Sequence, residues 1–346
     1  MKNVHLLLVA ALGVTVISSG TLLAQRGMGG RMGGRMGMRM GPIQAPPDNP
    51  ITPEKVALGK QLYFDPRLSK DRTVSCNSCH DLAVAGADTK PVSTGVGGAR
   101  GTRNSPTVWN VAFHEAQFWD GRAASLEEQA KAPLVNPAEM AMPSYDAVVA
   151  RVKAIPGYVA QFDKVFGESS VTIDNIARAI ATYERTLVSV NSKFDTFRFV
   201  DKDVLSEQEW RGVQTFRQVG CMRCHMGPDF SGPPPLARRA GFYQRFPQFA
   251  DSPLVTRYKL LEDQGRYNVT RHEADRHVYR VPSLRNVEKT APYFHNGAAA
   301  TLEEATRVCA KGANDIDLTA AEVADLVAFM RTLTGTFPEQ KPPKLP

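Results

Sequence analysis

The chain has 346 residues, enough for about two domains, with five cysteines and a formal net charge of +7. Residues 1–41 hold five of the 42 basic residues and no acidic one, leaving 37 basic against 35 acidic side chains, a net +2, for the rest. A basic balance of that origin gives no argument for a nucleic-acid partner, and the one long apolar run is too short and too broken for a stable membrane span.

Residues 1–24 read as a signal peptide for export to the periplasm. Lys2 supplies the charge, Leu6 to Val16 the apolar stretch, and Leu22-Leu23-Ala24 a small-residue cleavage site, with Ser18, Ser19 and Gly20 interrupting the run. Residues 25–49 form a Gly/Arg/Met-rich leash with no periodic apolar face, expected to be flexible. Its Met28, Met32, Met36, Met38 and Met40 are soft thioethers of the kind that take Cu(I).

A first domain is expected over 50–204. Thr52-Pro53 starts a helix with Val56, Leu58 and Leu62 along one side. It leads to the pentad Cys76-Asn77-Ser78-Cys79-His80. Ser125-Leu126-Glu127-Glu128 has the form of a capping box opening a helix that carries Gln129. Ile173, Ile176, Ala177, Ile180, Tyr183 and Leu187 give the strongest amphipathic spacing in the chain.

The boundary falls between Asn191 and Leu205, and a second domain follows over 205–336. Ser206 to Glu209 caps a helix leading to the second pentad, Cys221-Met222-Arg223-Cys224-His225. Thr301 to Glu304 opens a helix carrying Cys309, and Thr319 to Glu322 opens the last, through Met330. Residues 337–346 remain as a tail. Pro/Gly-rich connections span 91–106, 133–143 and 227–253, and strand signals are sparse.

Each Cys-x-x-Cys-His pentad has the spacing at which two thiols bond to the vinyl groups of one haem while the following histidine reaches the iron. A zinc site would need a fourth ligand, and a redox Cys-x-x-Cys a βαβ setting that the chain lacks. Two pentads use four of the five cysteines, so two covalently bound haem c groups are expected, in keeping with export. The fold class is mainly α, with two cytochrome c-like haem domains in tandem.

The sequence around the pentads resembles the bacterial di-haem cytochrome c peroxidases and the related MauG-type enzymes, from about residue 51 to 335. The likeness lies in Leu58-Gly59-Lys60, Phe64-Asp65-Pro66-Arg67-Leu68-Ser69, Arg103-Asn104-Ser105-Pro106-Thr107, Phe118-Trp119-Asp120-Gly121-Arg122-Ala123 and Glu128-Gln129-Ala130. It continues in Val281-Pro282-Ser283-Leu284-Arg285-Asn286-Val287 and Ala291-Pro292-Tyr293-Phe294-His295-Asn296-Gly297. The resemblance implies that the N-terminal haem, on Cys76, Cys79 and His80, reduces hydrogen peroxide. The C-terminal haem, on Cys221, Cys224 and His225, would pass it electrons from a small c-type cytochrome or cupredoxin.

It also implies Gln129 and Glu139 as distal catalytic groups, Glu139 on a proline-rich loop where a mobile lid would deliver it. Peroxide cleavage wants a base that moves a proton between the oxygens and a donor that holds the peroxide. Trp119 would lie between the haems as an electron or hole relay. Asn104 with the carbonyls of Thr290 and Pro292 would form a Ca²⁺ site of hard oxygen ligands. Family members are often homodimers.

Two positions depart from the pattern. Many family peroxidases rest with a second histidine on the peroxidatic iron, sixteen residues after the proximal one; here that residue is Val96. This haem is therefore expected to be five-coordinate or water-bound, with His114 as the nearest substitute ligand. Fourteen residues after His295, where peroxidases have Met and MauG-type enzymes Tyr, stands Cys309, expected as a thiolate ligand that lowers the second haem's potential. Met222, Met226 and Met330 are alternative ligands outside that slot.

The function expected first is peroxide reduction with electrons from a soluble donor. The alternatives are MauG-type oxidation of a protein or small substrate through high-valent haem, and a non-catalytic di-haem electron-transfer protein. Retention of Gln129 and Glu139 argues against the last.

Overall fold

The computed structural model describes residues 43–114, 116–233 and 241–346. The expected signal peptide and most of the leash lie outside the described residues. Mainly helical secondary structure fills the rest, as the sparse strand signals predict.

The first half opens with α1 (Pro53–Phe64). Thr52 accepts from the Lys55 N–H, and Pro53 sits in the first turn, where a missing N–H costs nothing. The first pentad forms a single turn, α2 (Cys76–Cys79). α3 (Leu126–Val135), α4 (Tyr145–Lys153), α5 (Pro156–Phe166) and α6 (Ile173–Glu184) follow. Of the capping box expected at α3, one half forms: Ser125 Oγ accepts from the Glu128 N–H. The Glu128 carboxylate turns instead to Lys131 at 2.9 Å. In α6 the predicted stripe is buried from Ile176 to Tyr183, with Ile173 half-buried, and α1 packs across it with Gly59 at the crossing. A Cβ on Gly59 would stand 1.9 Å from the Ala179 carbonyl oxygen, so a hydrogen there sets how closely the helices meet. Leu58, Leu62, Tyr63, Leu134, Phe162, Ile176 and Ile180 form the core of this half.

The second half contains α7 (Lys193–Phe199) and α8 (Glu207–Gln218), then β1 (Tyr243–Arg245), α9 (Pro253–Arg257), α10 (Tyr267–Thr270) and β2 (Val278–Arg280). It ends with α11 (Leu302–Asn314) and α12 (Ala320–Arg331). β1 and β2 pair antiparallel, Tyr243 opposite Arg280. α8 packs on α12 as α1 does on α6. Phe194, Phe216, Phe230 and Phe329 meet edge-on or tilted in the core, with Phe216 and Phe329 5.1 Å apart.

The apolar side chains change partners between Leu187 and Phe194, earlier than the expected division at 204/205. Phe194 and Phe197 of α7 belong with the second core, and Phe197 meets Trp210 at 5.6 Å. Residues 337–346, set apart as a tail, return to the first half. Phe337 packs on Trp109 at 5.1 Å, Tyr183 Oη donates to Gln340 Oε1, and Arg67 Nη1 to the Pro346 carbonyl.

The folded halves reveal a repeat at a constant interval of 176 positions, in which Pro106, Asn110, Phe118, Gly121, Ala123 and Leu126 match Pro282, Asn286, Phe294, Gly297, Ala299 and Leu302. Asn110 and Asn286 are both left-handed, as are Phe118 (φ 68°) and Phe294 (φ 70°). The bridges Gln117–Ala123 and Tyr293–Ala299 close the same turn twice. The copies face each other: the Asn104 N–H donates to the His295 carbonyl at 2.7 Å, and its counterpart Arg280 donates to the carbonyl of Trp119, the counterpart of His295, at 2.8 Å.

Candidate active site

Both pentads fold back on themselves in the same way. The His80 N–H donates to the Cys76 carbonyl at 3.0 Å and the His225 N–H to the Cys221 carbonyl at 2.9 Å. Each imidazole spends Nδ1 on a backbone carbonyl, His80 on Pro106 at 2.9 Å and His225 on Phe230 at 3.0 Å. Nδ1 therefore carries the hydrogen and Nε2 keeps its lone pair, the tautomer a metal-ligating histidine needs. Burial holds both histidines below their usual pKa, so both stay neutral.

Each pentad opens into a cavity. The first, about 850 Å³, is lined by Cys76, Cys79 and His80; the second, about 260 Å³, by Cys221, Cys224 and His225. Two thiols and an imidazole with a free Nε2 on the wall of each cavity is the donor set a covalently attached haem requires, and both sites fit it.

Gln129, Glu139 and Trp119 all line the first cavity with His80. α3 carries Gln129 and runs on to Val135 through Pro133, a residue the sequence placed in a loop. Burial raises the Glu139 carboxyl above its usual pKa, opposed by Arg122 and by Asn136, whose Nδ2 donates to Glu139 Oε1 at 2.7 Å. The loop around Glu139, expected as a mobile lid, forms a hydrogen-bonded turn in the structure. The Glu139 N–H bonds the Asn136 carbonyl, the Met140 N–H bonds that of Pro133, and the Met140 carbonyl accepts from Lys70. On its other side the Val96 N–H donates to the Glu139 carbonyl at 2.9 Å. A Cβ on Gly95 would stand 2.3 Å from the Ala138 oxygen, so the two loops lie flush. Val96 packs on the first core.

In the second cavity Cys309 sits on α11 between Ala305 and Ala313, one stripe at four-residue spacing that all lines the space. Burial pushes its thiol up to about 12, and the next contributors are Cys221 and Cys224, so the three sulfurs share one space. The polypeptide alone therefore keeps this thiol protonated; the thiolate expected from the sequence depends on the metal. Met330 lines the same cavity, whereas Met222 is exposed and Met226 lies outside the lining.

Asn104, Thr290 and Pro292 also come together on the wall of the second cavity. Asn104 Nδ2 donates to the carbonyls of Lys90 and Pro91, which turns Oδ1, an oxygen donor, the other way. Trp119 lines both cavities; its Nε1 donates to the Asn104 carbonyl at 2.9 Å and its ring stands 6.4 Å from His295. His295 in turn stacks on Tyr279 at 4.5 Å.

Sequence reasoning missed two groups. Arg122 lines the first cavity and acts on Glu139; it lies inside a quoted motif, which was the available signal. Glu184, at the end of α6, lines the same cavity, has Oε2 buried without a hydrogen-bond partner among the described residues, and is pushed by burial to about 8. His114 was a candidate ligand, but both its nitrogens are spent, Nε2 on Asp229 at 2.7 Å and Nδ1 on Arg280 at 3.3 Å.

Residues 53–203 match the family model described as di-haem cytochrome c peroxidase. The chain is 44% identical over 308 residues to cytochrome c551 peroxidase of Nitrosomonas europaea, covering 88% of this chain and 87% of the relative. It is 36% identical over 313 residues to methylamine utilization protein MauG of Methylorubrum extorquens, covering 87% and 84%. Among solved structures, a MauG-like protein associated with microbial copper homeostasis superposes with a TM-score of 0.74 at 30% identity, covering 85% of this chain and 93% of that one.

Proposed function

This chain belongs to the di-haem cytochrome c peroxidase and MauG family, an oxidoreductase of the peroxidase type, and on that premise we propose that it reduces hydrogen peroxide to water in the periplasm with electrons from a small c-type cytochrome or cupredoxin. The single observation that carries the reading is the convergence of Glu139, Gln129 and the neutral His80 on one cavity, reached from three separate segments. No helix among the described residues is long and apolar enough to cross a membrane.

Two haem c groups, held by Cys76, Cys79 and His80 and by Cys221, Cys224 and His225, supply the iron and the electron route when bound. The reaction consumes one peroxide, two electrons and two protons and yields two waters. Glu139, ionised, takes the proton from one peroxide oxygen and returns it to the departing one, and its raised pKa suits a group that must both accept and release. Asn136 holds Glu139 Oε1 in place, and Gln129 donates its amide N–H to the peroxide. Trp119, lining both cavities, bridges them for electron transfer. Cys309, on α11, would supply a sulfur ligand to the second haem, and Asn104 Oδ1 with the carbonyls of Thr290 and Pro292 would hold Ca²⁺.

A second reading, MauG-type oxidation of a protein or small molecule, is favoured by Val96 in the histidine slot and by a cysteine at residue 309, whose sulfur would be anionic once bound to iron. Steady-state peroxide turnover with reduced cytochrome c, before and after Glu139→Ala, tests both. Turnover falling by about 10² or more on mutation supports the first. Slow turnover in the wild type, with oxidation of an added protein substrate instead, supports the second. Absence of any reaction with peroxide overturns both.

A further inference from the structure

Arg280 is more than nine-tenths buried at the junction of the halves, and it lines both cavities. Its guanidinium has five N–H groups, yet its side chain makes one hydrogen bond among the described residues, Nη1 to His114 Nδ1 at 3.3 Å. Nε–H is buried with no acceptor among the described residues. Because Arg280 can only donate, His114 Nδ1 accepts, and the ring hydrogen lies on Nε2, which donates to Asp229 Oδ2 at 2.7 Å. On its other side Asp229 meets Ser283, whose single hydroxyl hydrogen is shared between the Asp229 carbonyl at 2.6 Å and Oδ1 at 2.9 Å. Asp229, whose charge acts on Arg280, makes no hydrogen bond to it among the described residues, and a fixed cation is left facing two cavities. A buried arginine short of acceptors costs free energy unless an anion arrives.

The internal repeat says what kind of anion. Arg280 is the counterpart of Asn104, and His114 the counterpart of Thr290. Two of the three residues proposed above to hold a calcium ion on one side of the junction thus have Arg280 and His114 in their places on the other. The calcium ion proposed on one side of the junction would thus have a cation built into the chain opposite it. Haem carries two carboxylates at one edge, and these are the negative groups that two haems meeting at this junction would bring.

We infer that Arg280 anchors a haem propionate at the junction of the two cavities, positioned by His114 and Asp229, as the built-in equivalent of the calcium position across the repeat. The inference rests on both haems being present. It does not rest on peroxide being the substrate.

The test uses the holoprotein with two haems confirmed by pyridine haemochrome, and two variants, Arg280→Gln and Arg280→Lys. The readouts are the reduction potential of each haem by spectroelectrochemistry and the propionate bending bands in the resonance Raman spectrum. A cation beside a propionate disfavours the ferric state, so Arg280→Gln should make one haem about tenfold harder to reduce, about 59 mV downward for one electron. Arg280→Lys should keep most of the potential but shift the propionate bands, because an ammonium cannot reproduce the planar fork. An Arg280→Gln protein with two haems, unchanged potentials and unchanged bands overturns the inference. If that variant fails to hold haem, unchanged bands in Arg280→Lys overturn it and shifted bands support it. Wild-type protein with two haems but no peroxide turnover would sink the proposed function and leave this test intact.

Discussion

The backbone N–H of Val96 donates to the carbonyl of Glu139 at 2.9 Å, across 43 residues of sequence. The position where many relatives place an iron-binding histidine here serves as a clamp on the loop of the proposed catalytic base. The side chain at 96 is turned to the apolar core and the backbone to Glu139, so the distal loop is already assembled.

Gly95→Ala should break that assembly. The added methyl would sit 2.3 Å from one backbone oxygen and 2.4 Å from the next, and backbone cannot yield as a flexible side-chain tip does. Displacing Glu139 by about 1 Å should lower kcat by about 10², with KM for the electron donor unchanged. Stopped-flow peroxide kinetics check it; wild-type kcat in a folded variant counts against the clamp.

The acid limb of the activity profile should follow Glu139. The base must be ionised, and burial raises its pKa, so activity should fall off at a higher pH than an ordinary carboxylate would dictate. Asn136→Ala removes a hydrogen bond to the charged form, which raises the pKa further and moves the limb to still higher pH. A pH profile of kcat/KM for peroxide in the two proteins gives the answer, and a limb moving downward contradicts the assignment.

Cys309→Met should raise the potential of the second haem and alter its low-spin spectrum. A neutral thioether stabilises ferric iron less than a thiolate does. EPR and spectroelectrochemistry read both effects. An unchanged spectrum would remove Cys309 from the iron and leave Met330, which lines the same cavity, as the candidate.

Arg285→Met should destabilise the fold by about 3–5 kcal/mol, the cost of stranding a buried charge. Arg285 and Asp195 form a bidentate pair at 2.8 and 3.0 Å with both side chains 3% exposed, and Arg285 Nε also donates to the Pro228 carbonyl. Asp195 is held below its ordinary pKa in the fold, so its contribution is present above the unfolded carboxylate pKa and is lost as pH falls through the folded one. Urea midpoints at neutral pH check the cost, and adding Asp195→Asn should recover part of it.

Much of this protein was legible in the order of its residues. Haem attachment demands two thiols and an imidazole within five positions, so each pentad is a local signal that no fold can hide. Helix starts at Thr52, Ser206, Thr301 and Thr319 were equally local, since a cap satisfies N–H groups two or three residues ahead. The exception, Ser125, shows the limit: whether Glu128 bonds back to its cap or out to Lys131 depends on a neighbouring side chain.

What the tertiary structure alone decided are the relationships between residues far apart in the chain. The change of core near Leu187, the return of Phe337 to Trp109, the anchoring of Glu139 by Val96, and the line from Arg280 through His114 to Asp229 all join distant segments. The reason is physical. Covalent chemistry and helix capping act over one turn of backbone and leave their mark in spacing, whereas burial, electrostatic compensation and the meeting of two cavities depend on which surfaces the folded halves present to each other.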